Sequence, residues 1–208
     1  MKPSNYFVLF LLSTVLLACQ ADNQGALTTA ETELDIPDTT ELGELIDDEW
    51  MGESLKPIRA KIRQTNAIKR WTAIDKRART KTTEGGVAEY YFLHDTLRKV
   101  VVLDFGETGK KVSEFLTLND SLYFVLEQVH SYNRPITWDS IAMKENNDTQ
   151  VFNPDNSEIV EDRWYFENGV LIKLINSEDC DAPFAREYLE EEQSRLQTAF
   201  DELLERLK

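Results

Sequence analysis

Apolar residues in this chain fall into three patterns, and each predicts a different kind of element. Near the start, the twelve residues from Tyr6 to Leu17 are apolar apart from Ser13 and Thr14. A spanning helix needs roughly 20 such residues, so this run has the proportions of a leader's apolar core instead. Through the middle, aromatic and aliphatic residues alternate with polar ones over short runs, the two-residue period of half-buried strands. At the end, Phe184, Tyr188, Leu189, Leu196, Phe200 and Leu203 form a stripe at helical spacing, with Asp181 placed to cap it and Pro183 suited to its first turn. Leu55, Ile58 and Ile62 share a shorter helical face, with Ser54 as N-cap and Pro57 in the first turn, so a helix is predicted to about Asn66. A first strand is expected over residues 68–79, with Trp71 and Ala73 on one side.

The strand-forming middle repeats itself. Glu89-Tyr90-Tyr91-Phe92-Leu93-His94-Asp95-Thr96-Leu97 aligns with Glu114-Phe115-Leu116-Thr117-Leu118-Asn119-Asp120-Ser121-Leu122 and with Arg163-Trp164-Tyr165-Phe166-Glu167-Asn168-Gly169-Val170-Leu171. Each copy reads as an aromatic strand, a two-residue turn of His-Asp, Asn-Asp or Asn-Gly, and a second strand opened by Leu. Asn168-Gly169 is the strongest type I′ signal, because both central positions of that turn need positive φ. Chained hairpins of this kind give an antiparallel meander of about six or seven strands. Between the second and third hairpins, Ser131 to Glu158 has little periodicity and many Asn and Asp residues. Long connections of that sort are where binding residues concentrate.

The hairpin unit is similar to the Tyr-Tyr/Phe, Asp/Asn-Gly, Leu repeats of MORN-like and antitoxin-like bacterial proteins from Glu89 to Leu174, although only the third copy has Asn-Gly. Gly106-Glu107-Thr108-Gly109, Tyr132-Asn133-Arg134-Pro135-Ile136-Thr137-Trp138-Asp139 and Glu161-Asp162-Arg163-Trp164-Tyr165-Phe166 together look like a group of Bacteroidetes lipoproteins. That likeness implies an envelope context and no activity. The leader points the same way. Lys2 supplies a basic start, and Leu16-Leu17-Ala18-Cys19 resembles the bacterial lipobox. The resemblance implies a diacylglyceryl group on the Cys19 thiol, cleavage after Ala18 and acylation of the new amino terminus. Each buried methylene contributes about 0.8 kcal/mol, so such an anchor is effectively permanent. Gln20, rather than an acid, follows the cysteine, which by the same resemblance implies the outer membrane, periplasmic or surface-facing.

Charge divides the chain further. Gln20 to Leu55 holds eleven acidic residues and no Lys or Arg, and reads as a disordered, self-repelling tether. Acid-rich residues just after the cysteine also resemble surface-export signals of some Bacteroidetes lipoproteins. From Lys56 to Lys81 the sign reverses, with ten Lys and Arg against Asp75. That stretch is either a cationic surface for lipid phosphates or an acidic partner, or a stretch neutralised by the acidic tether and C-terminal helix of the same chain. The net charge of −15 argues against nucleic acid as a partner. Cys180 sits between Asp179 and Asp181, which raise its pKa and make it a poor nucleophile.

The motifs of known chemistries fail one by one. Asp104-Phe105-Gly106 has no kinase loop beside it, and the Gly-Lys pair at Gly109-Lys110 has the wrong spacing for a phosphate loop. His94 and His130 have no Cys or His at zinc-ligand spacing. The Asn146-Asn147-Asp148 and Asn153-Pro154-Asp155-Asn156 clusters lack the calcium-loop pattern and read as turns. The reading is therefore a leader over residues 1–18, a lipidated acidic tether over 19–53 and one α+β domain over 54–208. That domain is an antiparallel meander of hairpin repeats with a short N-terminal helix and a C-terminal helix. No catalytic residue, metal or cofactor is assigned. The expected work is non-enzymatic binding of an envelope protein, lipid or polymer, with Tyr132, Arg134, Trp138 and Asp139 as contact residues. Two alternatives are an inhibitor or immunity-type protein against a hydrolase or toxin, and a hydrolase built on carboxylates.

Overall fold

Seven strands follow one another across a single sheet in chain order, every neighbouring pair antiparallel. They are β1 Ala73–Arg79, β2 Gly86–Leu93, β3 Thr96–Gly106, β4 Gly109–Leu118, β5 Ser121–Ser131, β6 Glu158–Glu167 and β7 Val170–Asn176. Helix α1, Lys56–Asn66, precedes them, α2, Ser140–Glu145, lies in the β5–β6 connection, and α3, Arg186–Glu205, closes the chain. This architecture comes from a computed structural model that describes residues 53–178 and 184–207, all within the compact unit Ile36–Lys208. The expectations for Cys19, the leader, the tether up to residue 52, Cys180, Asp181 and Pro183 lie outside the described residues. No described helix is long and apolar enough to cross a membrane.

The repeat is a structural repeat. His94-Asp95, Asn119-Asp120 and Asn168-Gly169 all have positive φ at both positions, as the type I′ turn requires. Asn and Asp tolerate that region better than other side-chain-bearing residues, and Gly best of all. In each copy the pairing register slips once at the same place, after Tyr91, Leu116 and Tyr165. The extra residue on the partner strand is Arg98, Tyr123 or Ile172. A bulge of this kind shifts the side-chain alternation by one. Leu97 and Val100, Leu122 and Val125, and Leu171 and Leu174 consequently share one face of the sheet although each pair is three apart in sequence.

That face meets α3. Leu196, Phe200 and Leu203 pack on Tyr90, Val100, Phe115 and Trp164, and the Phe200 and Phe115 rings stack with centroids 6.1 Å apart. Each such side chain contributes about 1.5 to 3 kcal/mol when fully removed from water. The Tyr90 hydroxyl donates to the Leu203 carbonyl at 3.1 Å, so its buried oxygen is satisfied. On the opposite face, Leu55, Ile58 and Ile62 pack on Leu116, Phe124, Leu126 and Tyr165. The bulge turns Tyr123 to this side, where its hydroxyl bonds Thr65 at 2.7 Å and burial pushes its pKa up to about 12.

Several boundaries correct the sequence reading. The first strand starts at Ala73, and Trp71 packs edge-on against Tyr91 at 5.3 Å ahead of it. Ser54 lies in a 3-10 turn, Glu53–Leu55, and Leu55 occupies the N-cap position of α1 with no side-chain cap. Helix α3 begins only at Arg186, where Ala185 likewise caps with no side-chain bond. The basic stretch is engaged within the chain at several points. Arg79 pairs with Asp104 at 2.9 Å and Lys76 with Glu89 at 3.0 Å, Lys81 pairs with Glu202 of α3, and Arg77 donates to the Arg206 carbonyl. The charged side chains Asp75, Lys76 and Arg77 also mark β1 as an edge strand protected from further pairing.

Candidate functional site

The two ends of the sheet are built differently, and the long connection is at the end opposite the three repeated turns. It leaves β5 at Ser131 and is tied at once to the β3–β4 turn, where the Tyr132 amide donates to the Thr108 carbonyl and the Ile136 amide to the Glu107 carbonyl, both at 2.9 Å. The turn itself approaches closely: a Cβ on Gly109 would lie 2.3 Å from the His130 carbonyl oxygen. Tyr132 then packs edge-on against Phe152 at 5.1 Å, closing the loop on itself.

Asp148 is the hub of this loop. Its carboxylate accepts from Arg134 through two guanidinium nitrogens, from the Trp138 indole N–H at 3.1 Å, and from the Thr149 amide at 2.6 Å. The Arg134 guanidinium, helped by the Thr149 and Gln150 amides, holds the Asp148 carboxyl well below the usual carboxylate range. A bidentate guanidinium–carboxylate pair fixes both distance and plane, so the two residues 14 positions apart clamp the loop. Asn133 adds a second clasp, donating to the Val151 carbonyl at 3.0 Å and accepting from the Asn153 amide at 2.9 Å. Asp139 caps α2, accepting from the Ile141 and Ala142 amides at 2.8 and 2.9 Å. Asn153 caps the 3-10 turn Pro154–Asn156 in the same way.

The four contact residues expected from sequence are therefore all within this loop, and each has a partner inside it. Arg134 and Trp138 converge on Asp148, Tyr132 faces Phe152, and Asp139 holds a helix start. Among the residues facing solvent here are three aliphatics: Ile141 is 63% exposed, and Ile136 and Val151 are exposed as well. Sequence reasoning missed both the hub and these aliphatics. Asp148 was indistinguishable there from the other Asn and Asp turn formers around it, and isolated isoleucines in a loop carry no periodic signal.

A second polar group lies on the α3 face of the sheet. Ser113, Glu127, Asp162 and Asn176 are direct cross-strand partners, one after another across β4 to β7. Burial pushes the Glu127 carboxyl up, but the charges and hydrogen bonds of Lys111 and Arg195 outweigh it and leave the group below its ordinary value. Lys111 is 2.9 Å and Arg195 3.0 Å from its two oxygens. Asp162 goes the other way: burial raises it, Asn176 opposes, and Glu127 and Glu192 raise it further. Arg195 also bonds Glu192 at 2.8 Å and lies 5.3 Å over the Trp164 ring. Opposed shifts in neighbouring carboxylates are a signature of acid and base pairs, and they are equally what a structural ion-pair network produces.

A shallow cavity of about 240 Å³ opens elsewhere, at the hairpin tips, between α1 residues Pro57, Ile58 and Lys61 and the strand residues Leu122, Tyr123 and Phe166. Neither Glu127 nor Asp162 lines it. Among the described residues no group of three or more His, Cys, Asp or Glu side chains is arranged to hold a metal. His94 sits at positive φ in the first repeated turn, and His130 is held below its ordinary pKa by burial and by Lys110. No family model, curated protein or solved structure matches this chain.

Proposed function

We propose that this protein is a non-enzymatic, membrane-anchored envelope lipoprotein whose globular part is a binding module, and that the loop of residues 132–157 is its recognition element. The observation that carries this reading is the loop's construction. Arg134 and Trp138 converge on Asp148 and Asn133 clasps Val151 and Asn153, so the backbone is held in place before any partner arrives while Ile136, Ile141 and Val151 face solvent. Pre-ordering of this kind removes much of the entropic cost of association. Exposed aliphatics suit a protein or lipidic surface better than a soluble ion. Arg134 and Trp138 thereby change role from the sequence reading: they position the loop, and the aliphatics make the contact.

The address rests on Leu16 to Cys19, which resembles a lipobox. Cys19→Ala should abolish acyl labelling and lipoprotein-type cleavage, and palmitate labelling that persists would remove the anchor from the account. For the binding module, a photo-reactive amino acid at position 141, in cells, should crosslink one discrete envelope component. The same probe at position 172, an exposed isoleucine on β7, should not. Equal patterns from the two sites would overturn the assignment of the loop.

A second reading, hydrolysis on a carboxylate pair, draws on the opposed shifts of Glu127 and Asp162. Against it, Glu127 already bonds Lys111, Ser113 and Arg195. The third reading, an inhibitor or immunity-type protein, makes the partner of the same loop a hydrolase or toxin, and the crosslinked component would identify it.

A further inference from the structure

The basic stretch from Lys56 to Lys81 divides in two in the folded chain. Its later cations are engaged: Lys76 by Glu89, Arg77 by Asp75 and the Arg206 carbonyl, Arg79 by Asp104, and Lys81 by Glu202. Its earlier part, from Lys56 to Ile74, holds six Lys and Arg and no acid. Within it Lys61, Arg63, Lys69 and Arg70 are all exposed and make no ion pair among the described residues. A chain of net charge −15 thus presents four neighbouring cations that its many acids do not neutralise.

These four lie along one end of the sheet. Lys61 borders the shallow cavity together with Ser121, Glu167 and Asn168, at the second and third repeated turns. Farther on, the Thr72 amide donates to the Phe92 carbonyl at 2.9 Å and the His94 amide to the Thr72 hydroxyl at 3.0 Å, at the first turn. The chain from Lys61 to Thr72 therefore crosses the hairpin-tip end of the sheet. Apolar residues are interleaved with the cations: Ile68 and Trp71 are half-buried, and Ile74, opposite Tyr91 in the β1–β2 pair, is 54% exposed. Arg98 adds a fifth cation. Burial raises the Tyr123 hydroxyl while Thr65 and Arg98 oppose it, which sets the Arg98 guanidinium close to the Thr65 end of α1, and its buried Nε has no hydrogen-bond partner. The acids at this end, Asp95, Asp120 and Glu167, are exposed on the turns themselves, three against five cations.

We propose that this row is a membrane-docking surface, which holds the hairpin-tip end of the domain against the anionic phospholipid headgroups of the bilayer that carries the anchor. The proposal deepens the reading of the chain as a membrane-anchored module and rests on it. Three features favour a bilayer over an acidic protein. The cations are strung along an exposed stretch, which suits a plane of phosphates where each Lys or Arg adds its own attraction. Trp71, in their midst, is of the residue type enriched at membrane interfaces. The anchor keeps the domain at the surface, so individually weak attractions suffice. The apolar face of α1 is already buried against the sheet through Ile58 and Ile62, so the contact is with headgroups and no helix inserts. Docked in this way, the domain turns the loop of residues 132–157, at the opposite end of the sheet, away from the bilayer.

The test uses the full-length chain in vesicles, with a photo-reactive amino acid replacing Gln64, an exposed neighbour of Arg63. In phosphatidylcholine vesicles containing phosphatidylglycerol, irradiation should join the probe to lipid. The yield should fall roughly fivefold or more in phosphatidylcholine alone and in high salt. Lys61→Glu, Arg63→Glu, Lys69→Glu and Arg70→Glu combined should lower it as far, whereas Lys81→Gln, at a cation already paired with Glu202, should leave it unchanged. Lys69→Gln with Arg70→Gln, between α1 and β1, is the gentler pair if four reversals unfold the domain, and should lower the yield about twofold at an unchanged melting temperature. Palmitate labelling of the same samples reads the anchor separately. Lipid marked by an unacylated chain would support docking and remove the anchor, and lipid left unmarked by an acylated chain would overturn docking with the anchor intact. Equal yields in the two kinds of vesicle, or a loss from Lys81→Gln as large as from the gentler pair, would overturn it as well.

Discussion

At one end of the sheet three hairpins close with two-residue turns, and at the other a single connection from Tyr132 to Ser157 closes with a side-chain knot. The first end is specified locally. Each turn has residues that tolerate positive φ, and each is followed by a bulge at the same position, so every hairpin carries its own instructions. The second end is specified at a distance: Arg134 and Trp138 find Asp148 across ten or more residues, and Asn133 finds Val151 and Asn153. The second end is held by the Arg134–Asp148–Trp138 knot and the Asn133 clasp beside it.

The comparison makes graded predictions. The largest effect belongs to the sheet: Phe200→Ala removes a ring stacked on Phe115 under α3 and should cost about 3 to 5 kcal/mol in denaturant unfolding. Trp138→Ala, in the half-buried loop, should cost under about 2 kcal/mol. Reversal of that order would make the loop, not α3, the keystone of the domain. Next come the turns. Gly169 has φ +80° with open space around it, so Gly169→Ala should cost about 1 kcal/mol through backbone strain alone. Replacing His94-Asp95 by Asn-Gly should stabilise by up to about 1 kcal/mol for the converse reason. No change from that swap would mean that the first hairpin does not rely on its turn.

The smallest effect is a pH dependence. Asp162 has a raised folded-state pKa, so its ionisation on folding is disfavoured and its contribution is lost as pH rises through that value. Asp162→Asn should therefore raise the melting temperature slightly at neutral pH, with the gain vanishing in acid where the native side chain is protonated too. Glu127 has the opposite sign: its lowered folded-state pKa makes its contribution present at neutral pH and lost as pH falls through that value. Glu127→Gln should lower the midpoint at neutral pH and matter less in acid. Identical pH profiles for the two variants would show that the row does not split its carboxylates.

The contrast between the two ends also decided what was readable in advance. The aromatic strands, the His-Asp, Asn-Asp and Asn-Gly turns and the two packing helices were legible because period and turn chemistry act over a few residues. The bulges were not, since Arg98, Tyr123 and Ile172 share no residue type and only their register marks them. The start of α3 was misplaced because Asp181 and Pro183 offered a better cap on paper than Ala185, which caps with no side-chain bond. Tyr132, Arg134 and Trp138 stood out as hot-spot types, yet their partners Phe152 and Asp148 lie 10 to 20 residues away, beyond what spacing can pair.

One paired measurement bears most directly on the loop as a recognition element. Ile136→Asp, Ile141→Asp and Val151→Asp, combined in the full-length protein, would be assayed for capture of the component crosslinked from position 141 and for thermal unfolding. The account predicts capture reduced at least tenfold with the melting temperature within a few degrees of the parent, because all three side chains are exposed. Undiminished capture by a normally stable variant would contradict it.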